Sequence, residues 1–209
     1  MNTYVDGETG AAVEVKPLDT LAYRGRCLDT TWPFIHFTVI GIQAFTGSCW
    51  VHAGAAMKGR LQGSHQVRTL VTDATEDGID VRPLSADLRR GRRVGVLRPP
   101  AGCGMDEAAL AAFVWPRWGV APYGTRKLLA NAWIEVAGGG GKPDPTEIPE
   151  SFICSEWSSL LNRRFVTYPD GRGFDPCPQY ADRFTSPADL AKRSLLEWVT
   201  RDLRLKEDT

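Results

Sequence analysis

Hydrophobic and polar positions change rhythm twice along this chain, and the changes divide it into a strand-rich first half and a helix-rich second half. Residues 1 to about 20 are mixed and polar, which predicts an extended lead-in. Trp32 to Phe45 is densely apolar. Thr30 or Thr31 with Pro33 supplies a helix start there, so the stretch predicts a helix, although its β-branched residues leave a strand open. Cys49 to Met57 is short, apolar and built of small residues, and predicts a buried strand that carries His52. Lys58 to Ser64 reads as a turn. From Gln66 to Ala74, Val67, Thr69, Val71 and Asp73 alternate with Arg68, Leu70 and Thr72, the period of a strand. Asp77-Gly78 is a tight-turn signal, and Ile79 to Leu84 and Arg93 to Arg98 follow as further strands.

After Pro99-Pro100 the period lengthens. Asp106 is placed to cap a helix that runs to about Trp115, where Pro116 interferes. Leu128, Leu129, Ala132, Trp133 and Val136 mark a helix over 125 to 136, followed by a Gly- and Pro-rich loop over 138 to 150. Ile153, Trp157, Leu160 and Leu161 mark an amphipathic helix over about 153 to 164. Residues 165 to 185 read as loop. Ser186, Pro187 and Asp189 then have the spacing of an N-cap, a first-turn proline and a capping acid, which predicts a last helix to about Arg201. Strands first and helices later imply an α+β fold with an antiparallel sheet rather than a βαβ repeat. One domain is expected over 21–201, with 1–20 as lead-in and 202–209 as a polar tail.

Composition narrows the function classes. The chain has 209 residues, 43% hydrophobic and 24% charged, enough to bury a real core. Its 25 basic residues balance 25 acidic ones, so bulk charge points to neither nucleic acid nor an anionic membrane. Arg89, Arg90, Arg92 and Arg93 read as a solvated loop before a strand, with an anion site as the alternative. The first residues lack a basic region followed by an apolar core, and the apolar run Trp32 to Phe45 is shorter than the roughly 20 residues a spanning helix needs. The expectation is a protein made in the cytoplasm without a secretion signal and without stable membrane insertion. A substrate outside the cell would then require delivery to the envelope, for example on a virion. Five cysteines (27, 49, 103, 154 and 177) form no CxxC pair, which argues for reduced thiols and against a structural zinc site. No metal or cofactor is expected.

Candidate chemistry rests on three residues. Cys154 opens a predicted helix, where free N–H groups and the positive end of the helix dipole favour a thiolate. His52 lies in an apolar strand, where an imidazole needs a partner. Asp73 ends the next strand, within reach of the far imidazole nitrogen if the two strands are antiparallel neighbours. Taken singly, each has a plain structural alternative: a small buried hydrophobe, a core histidine and a strand-end acid. His36 and His65 sit in less favourable contexts, an apolar segment and a turn.

Five short motifs, in order, resemble one superfamily. Gly47-Ser48-Cys49-Trp50-Val51-His52-Ala53-Gly54-Ala55 is similar to the "s-x-x-sHvGi" strand of the NlpC-type cell-wall peptidases, in the circularly permuted papain-like branch that holds YiiX/YebB-like proteins and lecithin:retinol acyltransferase-like enzymes. Leu70-Val71-Thr72-Asp73-Ala74 with Gly78 to Leu84 resembles that branch's next hairpin, and Pro122-Tyr123-Gly124 to Leu129 its "pYd-x-x-x-ll" segment. Phe152-Ile153-Cys154-Ser155-Glu156-Trp157 resembles the "f-x-CSel" nucleophile motif, and Thr185 to Leu190 the closing "tPadL". The similarity covers about residues 20 to 192. It departs at Asp73, where glutamate is commoner, and at Ala53, which replaces a valine.

The resemblance implies a permuted papain-like fold, an antiparallel sheet or small barrel packed on helices, with the nucleophile at a helix N-terminus. It implies Cys154 as nucleophile, His52 as base and Asp73 as the residue that orients it, with Tyr123 and Ser155 near the substrate. The expected activity is cysteine-dependent cleavage of an amide bond, first of all in a peptidoglycan stem peptide. Lipid thioesterase or acyltransferase chemistry at the same site is the second reading, and a non-catalytic component of a phage tail or delivery assembly the third.

Overall fold

The computed structural model describes residues 3–25, 47–61, 63, 65–75, 77–120, 154–179 and 185–206. The expected helices over Trp32 to Phe45 and 125 to 136, the 138 to 150 loop, His36 and Tyr123 lie outside these residues. The described architecture is α+β, with a large open antiparallel sheet and few helices. Ten strands are described: β1 (Tyr4–Asp6), β2 (Ala12–Val13), β3 (Thr20–Arg24), β4 (Trp50–Gly59), β5 (Arg68–Thr75), β6 (Gly78–Pro83), β7 (Arg93–Arg98), β8 (Gly104–Met105), β9 (Val166–Thr167) and β10 (Glu197–Leu205). Eight of them form one sheet in the order β2-β1-β10-β7-β3-β4-β5-β6, while β8 and β9 pair separately. The described strands do not close, so the small-barrel form of the expectation is not what these residues adopt.

The helices are α1 (Leu84–Arg89), α2 (Glu107–Val114), α3 (Cys154–Phe165) and α4 (Pro187–Lys192). Alternation along β4 decides which residues meet them. Ala53, Ala55 and Met57 join Trp157, Leu160, Leu161 and Leu190 in one buried cluster, whereas Ala56 joins Leu21, Tyr23, Val71, Leu84 and Val94 in a second. The sheet therefore separates two cores, with α2, α3 and α4 packed at one and α1 at the other.

Helix starts follow the sequence closely. The Asp106 side chain accepts from the Ala109 N–H at 2.9 Å, and Ser186 with Asp189 forms a reciprocal capping box behind Pro187. Three expectations are corrected. The last helix does not reach Arg201: it ends at Lys192, and Trp198-Val199-Thr200, residues that suit a pleated surface, enter β10. Residues 202–205 are consequently part of the sheet, because β10 pairs with β7 on one side and β1 on the other. The first 20 residues hold a hairpin rather than a lead-in. Asp6 Oδ1 accepts from the N–H groups of Glu8 and Thr9, at 3.0 and 2.7 Å, turning β1 back into β2.

Helix α3 is more deeply buried than an amphipathic pattern suggests. Besides Trp157, Leu160 and Leu161, its small polar residues Ser155, Ser158, Ser159 and Asn162 are buried. Their size lets the helix lie close against the sheet. Trp157 Nε1 donates to Thr72 Oγ1 at 3.1 Å, the Ser158 hydroxyl donates to the Gly54 carbonyl at 3.3 Å, and Asn162 Nδ2 donates to Thr20 Oγ1 at 3.1 Å. These bonds tie α3 to β3 and to β4 and β5, the strands that carry His52 and Asp73.

Candidate active site

Register brings the three candidate residues together. β4 pairs with β5 from Gly59↔Arg68 to Ala55↔Thr72. Counting one step further sets Gly54 opposite Asp73, with His52 on the diagonal. The Gly54 position has no room for a side chain: a Cβ there would lie 2.9 Å from Val71 Cγ1 and 3.1 Å from both Asp73 Cβ and the Thr72 carbonyl. The missing Cβ allows β5 to approach, and the Asp73 carboxylate reaches across to His52. His52 Nε2 donates to Asp73 Oδ2 at 2.6 Å.

Cys154, the first residue of α3, lies near enough to His52 and to the Ala53 backbone N–H for both to act on its thiol. Burial opposes ionisation of the Cys154 thiol, but the influence of His52, and after it that of the Ala53 N–H, outweighs burial and holds the thiol below its ordinary range. Burial likewise disfavours a charged imidazole. Cys154 and Asp73 on its two sides reverse that, and His52 titrates well above an ordinary histidine. Each group shifts the other, so the two titrate as a coupled pair.

Asp73 is itself held by a residue that the sequence reading passes over. Its side chain is fully buried, and Arg82 on β6 grips it as a fork, Nη1 to Oδ1 at 2.7 Å and Nη2 to Oδ2 at 2.8 Å. Burial would raise the Asp73 carboxyl, yet Arg82 first and His52 second keep it well below the usual carboxylate range. Arg82 also donates from Nη1 to Asp80 at 2.8 Å and from Nε to Asp87 Oδ1 at 2.9 Å. Asp87, buried on α1, accepts from the Tyr23 hydroxyl at 2.7 Å and pairs with Arg92 at 3.2 Å. Tyr23 in turn meets the His52 ring edge-on, with ring centres 5.3 Å apart. His52, Asp73, Arg82, Asp87 and Tyr23 thus form a closed circuit around the imidazole.

A signal for Arg82 was present in the sequence. Asp73, Asp80, Arg82 and Asp87 fall within fifteen positions, and Asp80 and Arg82 stand two apart on a strand, hence on one face. Opposite charges on one face next to a buried acid invite a network. Tyr23 carried no comparable signal, because it reaches the site only through the pairing of β3 with β4.

The other predicted residues separate from this cluster. No family model matches the chain, and no curated protein does. The roles of these residues therefore rest on geometry alone. Ser155, expected near the substrate, is fully buried and donates its hydroxyl to the Thr185 carbonyl at 2.5 Å, so it ties the start of α3 to the segment before α4 and does not face an opening. His65 is exposed and takes no part. Cys49, Cys103, Cys154 and Cys177 form no disulfide with one another. Arg92, from the basic run, is drawn into the Asp87 pair instead of a solvated loop. Among the described residues no helix is long and apolar enough to cross a membrane.

Proposed function

We propose that the protein is a cysteine hydrolase of the permuted papain-like type, with Cys154 as nucleophile, His52 as acid–base and Asp73 as the residue that orients and charges the imidazole. One observation carries the reading: His52 Nε2 lies 2.6 Å from the buried Asp73 carboxylate, and the Cys154 thiol on α3 is near enough to shift the titration of the same ring. A core histidine needs one partner for satisfaction; this one has an acid on each side, which is the arrangement that activates a thiol.

The substrate class that best suits the site is an amide, with a peptidoglycan stem peptide as the first candidate. The Cys154 thiolate attacks the amide carbonyl, forming a C–S bond while the π pair moves onto oxygen. The backbone N–H of Cys154 stabilises that oxyanion. As the intermediate collapses, the C–N bond breaks and the His52 imidazolium protonates the leaving amine. Neutral His52 then takes a proton from water. The hydroxide attacks the thioester, the C–S bond breaks, and the thiolate–imidazolium pair returns. Asp73 stays ionised throughout, held by Arg82.

Cys154→Ala is expected to abolish release of new amino groups from soluble stem peptides while leaving the thermal midpoint close to wild type. Stoichiometric iodoacetamide labelling of wild-type Cys154 at neutral pH should accompany the activity. Hydrolysis that survives in the variant would overturn the assignment. Lipid acyl transfer rested on the apolar stretch Trp32 to Phe45, which lies outside the described residues, and no observation on this site favours it.

A further inference from the structure

Arg82 sits among three carboxylates and holds each with a different part of its guanidinium. Nη1 and Nη2 fork onto Asp73 of β5, Nη1 also reaches Asp80 of β6, and Nε lies 2.9 and 3.1 Å from the two oxygens of Asp87 on α1. Among the described residues its hydrogen bonds all end on carboxylates, and none goes to His52 or Cys154. A single charge beside Asp73 would compensate it. Being held at Nε and Nη1 as well fixes the guanidinium plane, and a fork to both oxygens then stops the carboxylate from turning. The oxygen that matters is Oδ2, which accepts from Nη2 at 2.8 Å and from His52 Nε2 at 2.6 Å.

Tyr23 approaches the same histidine from the other neighbouring strand. It stands directly opposite His52 in the β3–β4 ladder, it is buried, and its ring plane is inclined by 61° to the imidazole. Its hydroxyl donates at 2.7 Å to Asp87 Oδ2, on the carboxylate that holds Arg82 Nε. Burial first, and the Asp87 charge after it, keep the phenol protonated and therefore a donor. The imidazole is thus bounded from two strands by side chains that are joined through Asp87. On the Asp73 side the contact is a hydrogen bond, and on the Tyr23 side it is a ring edge. Two further charges face this junction, Asp80 on β6 and Arg92 before β7, and they pair with Arg82 and Asp87 respectively.

We propose that Arg82 and Tyr23 are positioning residues for the Cys154 reaction: the guanidinium aims the Asp73 carboxylate at His52, and the phenol, tied to that guanidinium through Asp87, holds the face of the ring. The inference rests on the reading of Cys154 and His52 as the reacting pair, and says what keeps that pair in line. The test follows iodoacetamide alkylation of Cys154 against pH in the full-length protein, read from the mass of its peptide, with the thermal midpoint measured beside it. Arg82→Met removes the cation that keeps Asp73 charged, and a neutral Asp73 no longer supports a charged His52. The alkylation midpoint should then rise by about one pH unit, tenfold in the protonation equilibrium. Arg82→Lys keeps the charge without the fork and should fall between Arg82→Met and wild type. Tyr23→Phe keeps the ring but leaves Asp87 to draw the guanidinium off Asp73, so the midpoint should rise by a smaller amount. In the Arg82→Met background the same change should move nothing, because its path to Asp73 is gone. A midpoint that Arg82→Met leaves in place shows no route from Arg82 to the thiol, and one that Arg82→Lys fully restores shows charge without aim. A Tyr23→Phe shift that is absent, or equal in both backgrounds, unties Tyr23 from Arg82. Each of these results overturns the inference, and if Arg82→Met does not fold, Arg82→Lys and Tyr23→Phe decide it by themselves. Alkylation reads the thiol whether or not an amide is cleaved, so the two readings fail separately. Shifted midpoints in a protein that cleaves no stem peptide leave the positioning standing and the amidase reading fallen. Cleavage with unmoved midpoints does the reverse.

Discussion

At Asp73 three demands meet in one side chain: burial, a charge and a fixed direction. Arg82 meets all of them, since its fork both neutralises the carboxylate and sets the plane from which Oδ2 reaches His52. Asp73→Asn removes the charge from the fork and from the imidazole together. A buried pair broken on one side loses about 3–5 kcal/mol, to be read from urea unfolding at neutral pH. The sign with pH follows from the direction of the shift. Asp73 titrates below its unfolded value of 3.8, so its contribution is present above that value and is lost as pH falls through the lower, folded one. The stability gap between wild type and variant should therefore close only in strong acid. His52 titrates above its unfolded value of 6.5, so its own contribution is complete below 6.5 and fades as pH rises through the folded value. The thiol reports the same circuit. Iodoacetamide should alkylate wild-type Cys154 with a midpoint below the ordinary thiol value of 9.0, and in Asp73→Asn the midpoint should move up toward it, because the weakened charge on His52 outweighs relief of the smaller, direct repulsion between Asp73 and the thiolate. An unmoved midpoint would mean that Asp73 does not act through His52.

Strands β4 and β5 show how much of a site a pair of elements can set before any side chain is considered. Gly54 is the contact that admits Asp73, and the nearest atoms to its absent Cβ include the Thr72 carbonyl, which cannot swing aside as a side chain could. Gly54→Ala should therefore push the strands apart, cost about 1–3 kcal/mol by overpacking and slow Cys154 alkylation at pH 7. Unchanged stability and reactivity would show that β5 has slack there. This level was partly legible in sequence. The period-two run before Asp77-Gly78 placed β5 and β6, and small residues around His52 announced a close approach. What sequence could not supply was the far side of the circuit. Tyr23 and Asp87 become neighbours of His52 only after β3 pairs with β4 and α1 folds back, contacts between segments 64 positions apart. The strand β10 was hidden for a related reason. Its residues follow a strong helix start, and their pairing with β7 and β1 depends on chain 99 or more positions away, with Glu197 opposite Arg98.

For the molecule as a whole, β10 joins the β1–β2 hairpin to the rest of the sheet. It lies between β1 and β7, so every strand on its outer side depends on it. Deleting residues 197–206 should leave β7 with an open edge and the β1–β2 hairpin without a partner. The expected result is loss of a cooperative thermal transition by circular dichroism. A truncated chain that still melts cooperatively near the wild-type midpoint would show that the sheet does not need this joining strand. The same pairing has a practical side. Tyr4 faces Leu205 across the β1–β10 ladder, so the first and last described strands run side by side in the outer half of the sheet. From β1 to β4 there are four strand intervals, about 19 Å at 4.8 Å each. A tag, a surface anchor or a fused module joined to either strand's outer end would leave from one common flank. A module joined beside Tyr4 or Leu205 would sit on the half of the sheet away from His52.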